Sequence, residues 1–204
     1  VVAFVGIYYL NPPESQSKAT DVVTNFSDGA WLKTKIVSYD DTGTVIDGQG
    51  YQTSNVKSGT YDGKACWILT ENYTFTYTNG TIRDDFVAYY IDKSTNLNLH
   101  YSIMRMVDGV VQFDESYYPG SEGFDDDLLF YGNMTVSAVS EVVQVPAGTF
   151  DTTVHTKVFD ETDDAGLCYS IWMSKDVPIW GVVKSRYYIG NLTVCDYMLE
   201  SYGR

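Results

Sequence analysis

Positive charge is scarce in this chain: 13 Lys and Arg stand against 27 Asp and Glu, a formal net charge of −14. Such a balance disfavours nucleic acid and anionic membrane surfaces as partners, because both are polyanions that an acidic surface repels. Histidine is nearly missing. His100 and His155 lie far apart in strand-like segments and read as ordinary strand positions rather than a catalytic or metal-binding pair. Cysteine is limited to Cys66, Cys168 and Cys195, an odd set that allows at most one bridge and fits no CxxC metal spacing. Cys168 and Cys195 fall on strands with one strand between them. That places them near twice the strand spacing of about 4.8 Å, too far for a disulfide, so buried free thiols are expected. No GxSxG, HExxH, P-loop or GxGxxG occurs. Nothing fixes the separation of neighbouring carboxylates such as Asp84 and Asp85, so no glycosidase pair is drawn from them. The chain is therefore read as non-enzymatic, with no cofactor.

What is abundant is tyrosine, 18 residues of it, together with many Thr and Asn. This mixture suits pleated, half-solvated strands. Turn signals recur along the chain at Asp40–Gly43, Tyr61–Lys64, Asn79-Gly80, Asp92–Asn96, Asp108-Gly109 and Gly190-Asn191. Between them run Trp31–Tyr39, Thr44–Thr53, Ala65–Thr70, Asn72–Thr78, Thr81–Asp92, Leu97–Val107 and Val110–Tyr117. After a Gly- and Asp-rich break at 119–127, a possible internal boundary, come Met134–Val143, Thr152–Phe159, Leu167–Ser174, Val182–Ile189 and Leu192–Tyr202. Gly48 and Gly50 suggest a bend or bulge in their strand. Pro146 lacks a ladder donor and Gly148 permits a positive φ, so Val145–Thr149 reads as a bend between strands. No amphipathic helix of useful length is present. The expected fold is all-β, mostly antiparallel, a half-barrel or sandwich.

The first ten residues stand apart. Val1, Val2, Phe4, Val5, Ile7, Tyr8, Tyr9 and Leu10, with Ala3 and Gly6, form an uncharged apolar stretch that ends at Asn11-Pro12-Pro13. Ten residues fall short of the about 20 that a membrane-spanning helix needs. Three readings stand: the tail of a signal anchor, a strand of the protein's own sheet, or a strand handed to a neighbouring molecule. Residues 11–29 are polar and read as a linker, leaving 30–204 as the β domain.

Five N-glycosylation sequons begin at Asn25, Asn72, Asn79, Asn133 and Asn191, against about two expected by chance. Alternation over Asn72–Thr78 puts Tyr73, Phe75 and Tyr77 on one face and Asn72, Thr74 and Thr76 on the other. Asn79 and Asn191 sit in turn dipeptides, which are exposed by construction. An exported chain bearing N-linked glycans is expected, extracellular or at the cell surface. Two acidic loops, Glu122 with Asp125, Asp126 and Asp127, and Asp160-Glu161 with Asp163 and Asp164, are candidate Ca2+ sites that lack EF-hand spacing and also read as solvated turns.

The segments Val145–Asp151, Tyr169–Pro178, Gly181–Lys184 and Leu199–Gly203 resemble exported archaeal and bacterial β-rich surface proteins or lipoproteins. These are similar to the LolA-type lipoprotein-carrier half-barrel. Tyr89–Thr95 with Leu97 and Leu99 looks like an earlier copy of the same element. The resemblance implies an archaeal envelope and a half-barrel with a concave face. The helix that plugs that face in the family is not evident here, so something else must cover it. A fold does not set a function, and two roles follow. One is a structural protein that assembles with copies of itself or other envelope proteins through Val1–Leu10, docked by strand donation. The other is a carrier of a lipid or another apolar ligand, touching the membrane only through an N-terminal anchor.

Overall fold

The computed structural model describes residues 25–119, 121, 135–158 and 167–204. None of them is helical. Eleven strands follow one another: β1 (Trp31–Tyr39), β2 (Ile46–Tyr61), β3 (Lys64–Tyr77), β4 (Ile82–Asp92), β5 (Asn98–Val107), β6 (Val110–Tyr117), β7 (Thr135–Val145), β8 (Gly148–Val158), β9 (Leu167–Met173), β10 (Val182–Ile189) and β11 (Leu192–Gly203). They form one open antiparallel sheet in the order β6-β5-β4-β3-β2-β1-β11-β10-β9-β8-β7. The expected all-β antiparallel class is what the residues build.

Turn chemistry explains the hairpins. Asp62-Gly63 and Asp108-Gly109 both have positive φ at each central residue, the pair of conformations that matches the right-handed twist of the flanking strands. At Gly190-Asn191 only the glycine is positive, the II′ arrangement. Asp40 organises the β1–β2 turn by accepting from Thr42 Oγ1 at 2.6 Å and from the amides of Thr42 and Val45 at 3.2 Å each.

The glycines of β2 sit where the strand meets its two neighbours differently. Gly48 pairs with Tyr77 and Gly50 with Phe75 in an unshifted ladder with β3. On the β1 side the register shifts between Ser38↔Gly48 and Tyr39↔Ile46, so the expected bulge falls beside Gly48, at Asp47. A Cβ at Gly48 would sit 2.4 Å from the Phe75 ring, and one at Gly50 would sit 2.1 Å from the Thr74 carbonyl oxygen. Only hydrogen lets the strands approach so closely.

The sheet is rolled. Arg83 on β4 and Tyr197 on β11 are four strand steps apart, about 19 Å on a flat sheet, yet Arg83 acts electrostatically on the Tyr197 hydroxyl. The main core joins Leu32, Val56, Leu69 and Ile91 to Val183 and Leu199 from the other half. Among the described residues, packing begins at Asn25. Its amide donates to Ile179 O at 2.8 Å, the Ile179 amide donates back at 3.1 Å, and Ala30 is buried in the core.

The strand directions give the sheet two ends. At one lie the turns after β1, β3, β5 and β10; at the other lie Asn25 and the β9–β10 loop, Ser174–Gly181.

Candidate functional site

The concave side gathers polar and aromatic side chains from both halves of the sheet. In antiparallel pairing, residues opposite one another share a face. The register Gln52↔Tyr73↔Asp85↔Arg105↔Phe113 therefore lays these five side chains across one side of β2 to β6. Tyr73, Phe75 and Tyr77 alternate inward while Asn72, Thr74 and Thr76 are exposed, as the period of two requires. Tyr101 stacks on Tyr117 at 4.6 Å, and Tyr169 stacks on Tyr187 at 4.2 Å, with Tyr197 at 5.8 Å from the latter. Part of the abundant tyrosine thus lines the inside of the roll, while Tyr61, Tyr90 and Tyr118 gather around His100.

Two carboxylates are set among these rings, in opposite electrostatic situations. Glu71 is buried; its Oε1 accepts from Gln52 Nε2 at 3.0 Å and Ser54 Oγ at 3.2 Å, and its Oε2 from Tyr73 OH at 2.9 Å. Trp180 adds a further side-chain hydrogen bond. Burial nonetheless pushes this carboxyl up, because neutral donors do not replace lost hydration. Burial also pushes Asp85 up, but Arg105 and Arg83 more than reverse it, and its carboxyl ends below the ordinary range. Arg105 holds it bidentately, Nε at 2.7 Å and an Nη at 2.9 Å, while Arg83 reaches it through Nε at 3.0–3.1 Å. Burial raises the Tyr73 and Tyr197 hydroxyls well above the usual phenol range, while both rings remain half-buried. The two carboxylates and their donors on β2 to β5 form a hydrogen-bonded polar seam.

The β9–β10 loop covers part of the concave side. Val177, Pro178 and Ile179 are fully buried, and Phe26 packs between Trp67 at 6.4 Å and Trp180 at 5.1 Å. Ile179 holds φ at 68°, a left-handed conformation that is an outlier for a β-branched residue. Among the described residues, this loop and Phe26 cover that part of the concave side. Trp172 and Trp180 both pack, partly buried, against the main core cluster.

Among the other expected sites, Asn72, Asn79 and Asn191 are exposed. Asn25 is half-buried, with Nδ2 donating to Lys175 O at 3.4 Å. Val1–Leu10, Asn133, the 119–127 break from Glu122 onward and both acidic loops, with Asp125, Asp126, Asp127, Asp163 and Asp164, lie outside the described residues. Among the described residues no three His, Cys, Asp or Glu side chains come together as metal ligands. His100 on β5 and His155 on β8 are separated by seven strands; His100 is sandwiched between Tyr61 at 5.2 Å and Tyr118 at 4.5 Å. The three cysteines are free, Cys168 and Cys195 having β10 between them. Burial pushes the Cys195 thiol up to about 12, which keeps it protonated and unreactive at neutral pH.

Glu71 and the Arg83–Asp85–Arg105 group escaped the reading of the sequence. Their signal was there: each polar residue alternates with inward apolar or aromatic neighbours, Leu69-x-Glu71-x-Tyr73 and Arg83-x-Asp85-x-Val87. The chain matches no protein-family model and no curated protein.

Proposed function

We propose that this is a non-enzymatic, glycosylated cell-surface protein that assembles by docking Val1–Leu10 onto a neighbouring copy. The observation that carries it is the Asn25–Ile179 pair. It fixes Asn25, and with it the point of attachment of the residues before it, at one end of the sheet. Residues 11–24 then provide a tether of roughly 45–50 Å when extended, long enough to reach another molecule. Deleting Val1–Leu10 is expected to convert concentration-dependent oligomers of residues 1–204 into monomers in sedimentation velocity. Oligomers that persist after the deletion would overturn the reading.

A second reading, a carrier of an apolar ligand, draws support from the half-buried aromatic rings along the concave side. It expects lipid in organic extracts of the purified protein whether or not Val1–Leu10 is present, and an extract free of lipid excludes it.

Glycans belong on the exposed sequons. In a host that N-glycosylates exported proteins, Asn72→Gln, Asn79→Gln and Asn191→Gln are each expected to remove one glycan's mass on denaturing gels. Asn25→Gln is expected to leave the mass of the glycoform unchanged, because its amide is engaged with Lys175 O and its backbone with Ile179. Migration insensitive to all four substitutions would rule out glycosylation at these asparagines.

A further inference from the structure

Exposed aliphatic side chains are not scattered evenly over the sheet. Val45 and Ile46 flank the β1–β2 turn, Ile82 follows the β3–β4 turn, Val110 and Val111 follow the β5–β6 turn, and Ile189 and Leu192 flank the β10–β11 turn. These seven are 42–61% exposed and make up half of the fourteen exposed large apolar side chains among the described residues. All seven lie at the end opposite to Asn25. Apolar residues scattered singly need no explanation, whereas a row of them marks a contact surface.

The four turns are joined into one rim. Ile82 N donates to Asp108 Oδ1 and Asp108 N to Ile82 O, both at 2.8 Å. Thr78 N donates to Asp47 O at 2.8 Å. Gly43 lies so close to β11 that a Cβ there would be 3.2 Å from Thr193 N. Neighbouring hairpins are about 10 Å apart, two strand spacings, so the row runs for roughly 30 Å. An extended ten-residue segment spans roughly 33 Å.

We infer that this rim is the acceptor for Val1–Leu10 of a second copy of the chain, which makes the assembly head-to-tail. The inference rests on the assembly reading above and adds where the segment docks. Donor and acceptor then sit at opposite ends of the sheet. The contact is heterologous and does not close on itself by twofold symmetry, so it propagates as an open filament unless a rotation closes a ring. Two observations favour an uncharged protein segment over a lipid surface. Asp40, Asp41, Asp47 and Asp108 are interleaved with the aliphatic residues, and two sequons, at Asn79 and Asn191, lie in the same turns. Glycans there would hold a flat surface away and leave room for a single slender segment.

The test uses residues 1–204, the same chain lacking Val1–Leu10, and a rim variant carrying Ile82→Asp, Val110→Asp and Leu192→Asp. A milder rim variant with Thr at the same three positions guards against misfolding, and thermal unfolding checks that each chain folds. In sedimentation velocity the intact chain is expected to form open-ended oligomers. The deletion and Asp rim variants are each expected to be monomeric, and the Thr variant to assemble roughly tenfold more weakly or worse. Mixing the deletion variant, which keeps its rim, with the Asp rim variant, which keeps its donor, should give a dimer that grows no further. If the deletion variant is monomeric while both rim variants assemble like the intact chain, the rim assignment fails and the assembly reading survives. If the intact chain is monomeric, or the deletion variant still assembles, both fail. Binding of the intact and deletion chains, but not the rim variants, to neutral phosphatidylcholine vesicles would also overturn the assignment.

Discussion

Asp85→Asn is expected to destabilise the fold by about 3–5 kcal/mol, the range for removing one member of a buried ionic group. The side chains of Asp85, Arg83 and Arg105 are only 8, 16 and 13% exposed. The substitution keeps the shape of the side chain but removes the charge that both guanidiniums share. Thermal unfolding is expected to fall by on the order of 10 °C. The pH dependence follows from the direction of the shift. The folded protein holds Asp85 below its ordinary value of about 4, so the unfolded chain takes up the proton first. The group's stabilisation is complete above that value and is lost as pH falls toward the lower, folded value. Glu71 works in the opposite sense. Its raised value means that stability declines as pH rises from the unfolded glutamate value up to the folded one. A urea titration at neutral pH and at pH near 3 checks this, since the Asp85→Asn deficit should shrink in acid, by at most about 1.4 kcal/mol for each pH unit below the ordinary value. A loss under about 1 kcal/mol at neutral pH would show that the two arginines are compensated without Asp85.

Gly50→Ala is expected to cost about 3 kcal/mol, at the upper end of what overpacking usually costs. The added Cβ would lie 2.1 Å from Thr74 O and 2.7 Å from Phe75 Cα. Both are backbone atoms of the paired strand, so no side-chain rotation relieves them and β2 must part from β3. Gly59 is the internal control. A Cβ there meets only the Ile68 side chain, 2.5 Å from Cδ1, whose flexible end can turn away, and Gly59→Ala is expected to cost under about 1 kcal/mol. Equilibrium unfolding in denaturant separates the two. Equal costs would mean that strand propensity, not close approach, sets the need for glycine in β2.

Much of the strand map was legible because alternation and turn chemistry are local. Trp31–Tyr39, Val110–Tyr117 and Val182–Ile189 match their strands residue for residue, and Asp62-Gly63 and Asp108-Gly109 turn where such dipeptides should. β2 runs eight residues beyond its expected end at Thr53, through Ser54–Tyr61. That polar stretch carries little strand signal of its own and is held by pairing with Lys64–Glu71. Ala65–Thr70 and Asn72–Thr78 join through Glu71 into the single strand β3, where Gln52, Ser54 and Tyr73 receive the carboxylate. The cover of the concave side was not legible at all. Lys175–Trp180 looks like a turn, and its burial depends on Phe26, about 150 residues away. The rim is of the same kind. Val45, Ile82, Val110 and Leu192 are unremarkable strand-end residues until the topology sets their hairpins side by side.

The seam between β1 and β11 runs down the middle of the sheet, pairing Trp31 with Gly203. Each half on either side, β1 to β6 and β7 to β11, is a run of neighbouring hairpins, so local contacts dominate within it. The seam itself closes a loop of nearly the whole chain, whose entropy must be overcome before its contacts reward it. In chain order β11 comes after every other strand of the sheet, so the whole first meander precedes the mate of β1. Were β11 to part from β1, β1 would become a further raw border in the heart of the protein, open to the wrong strand.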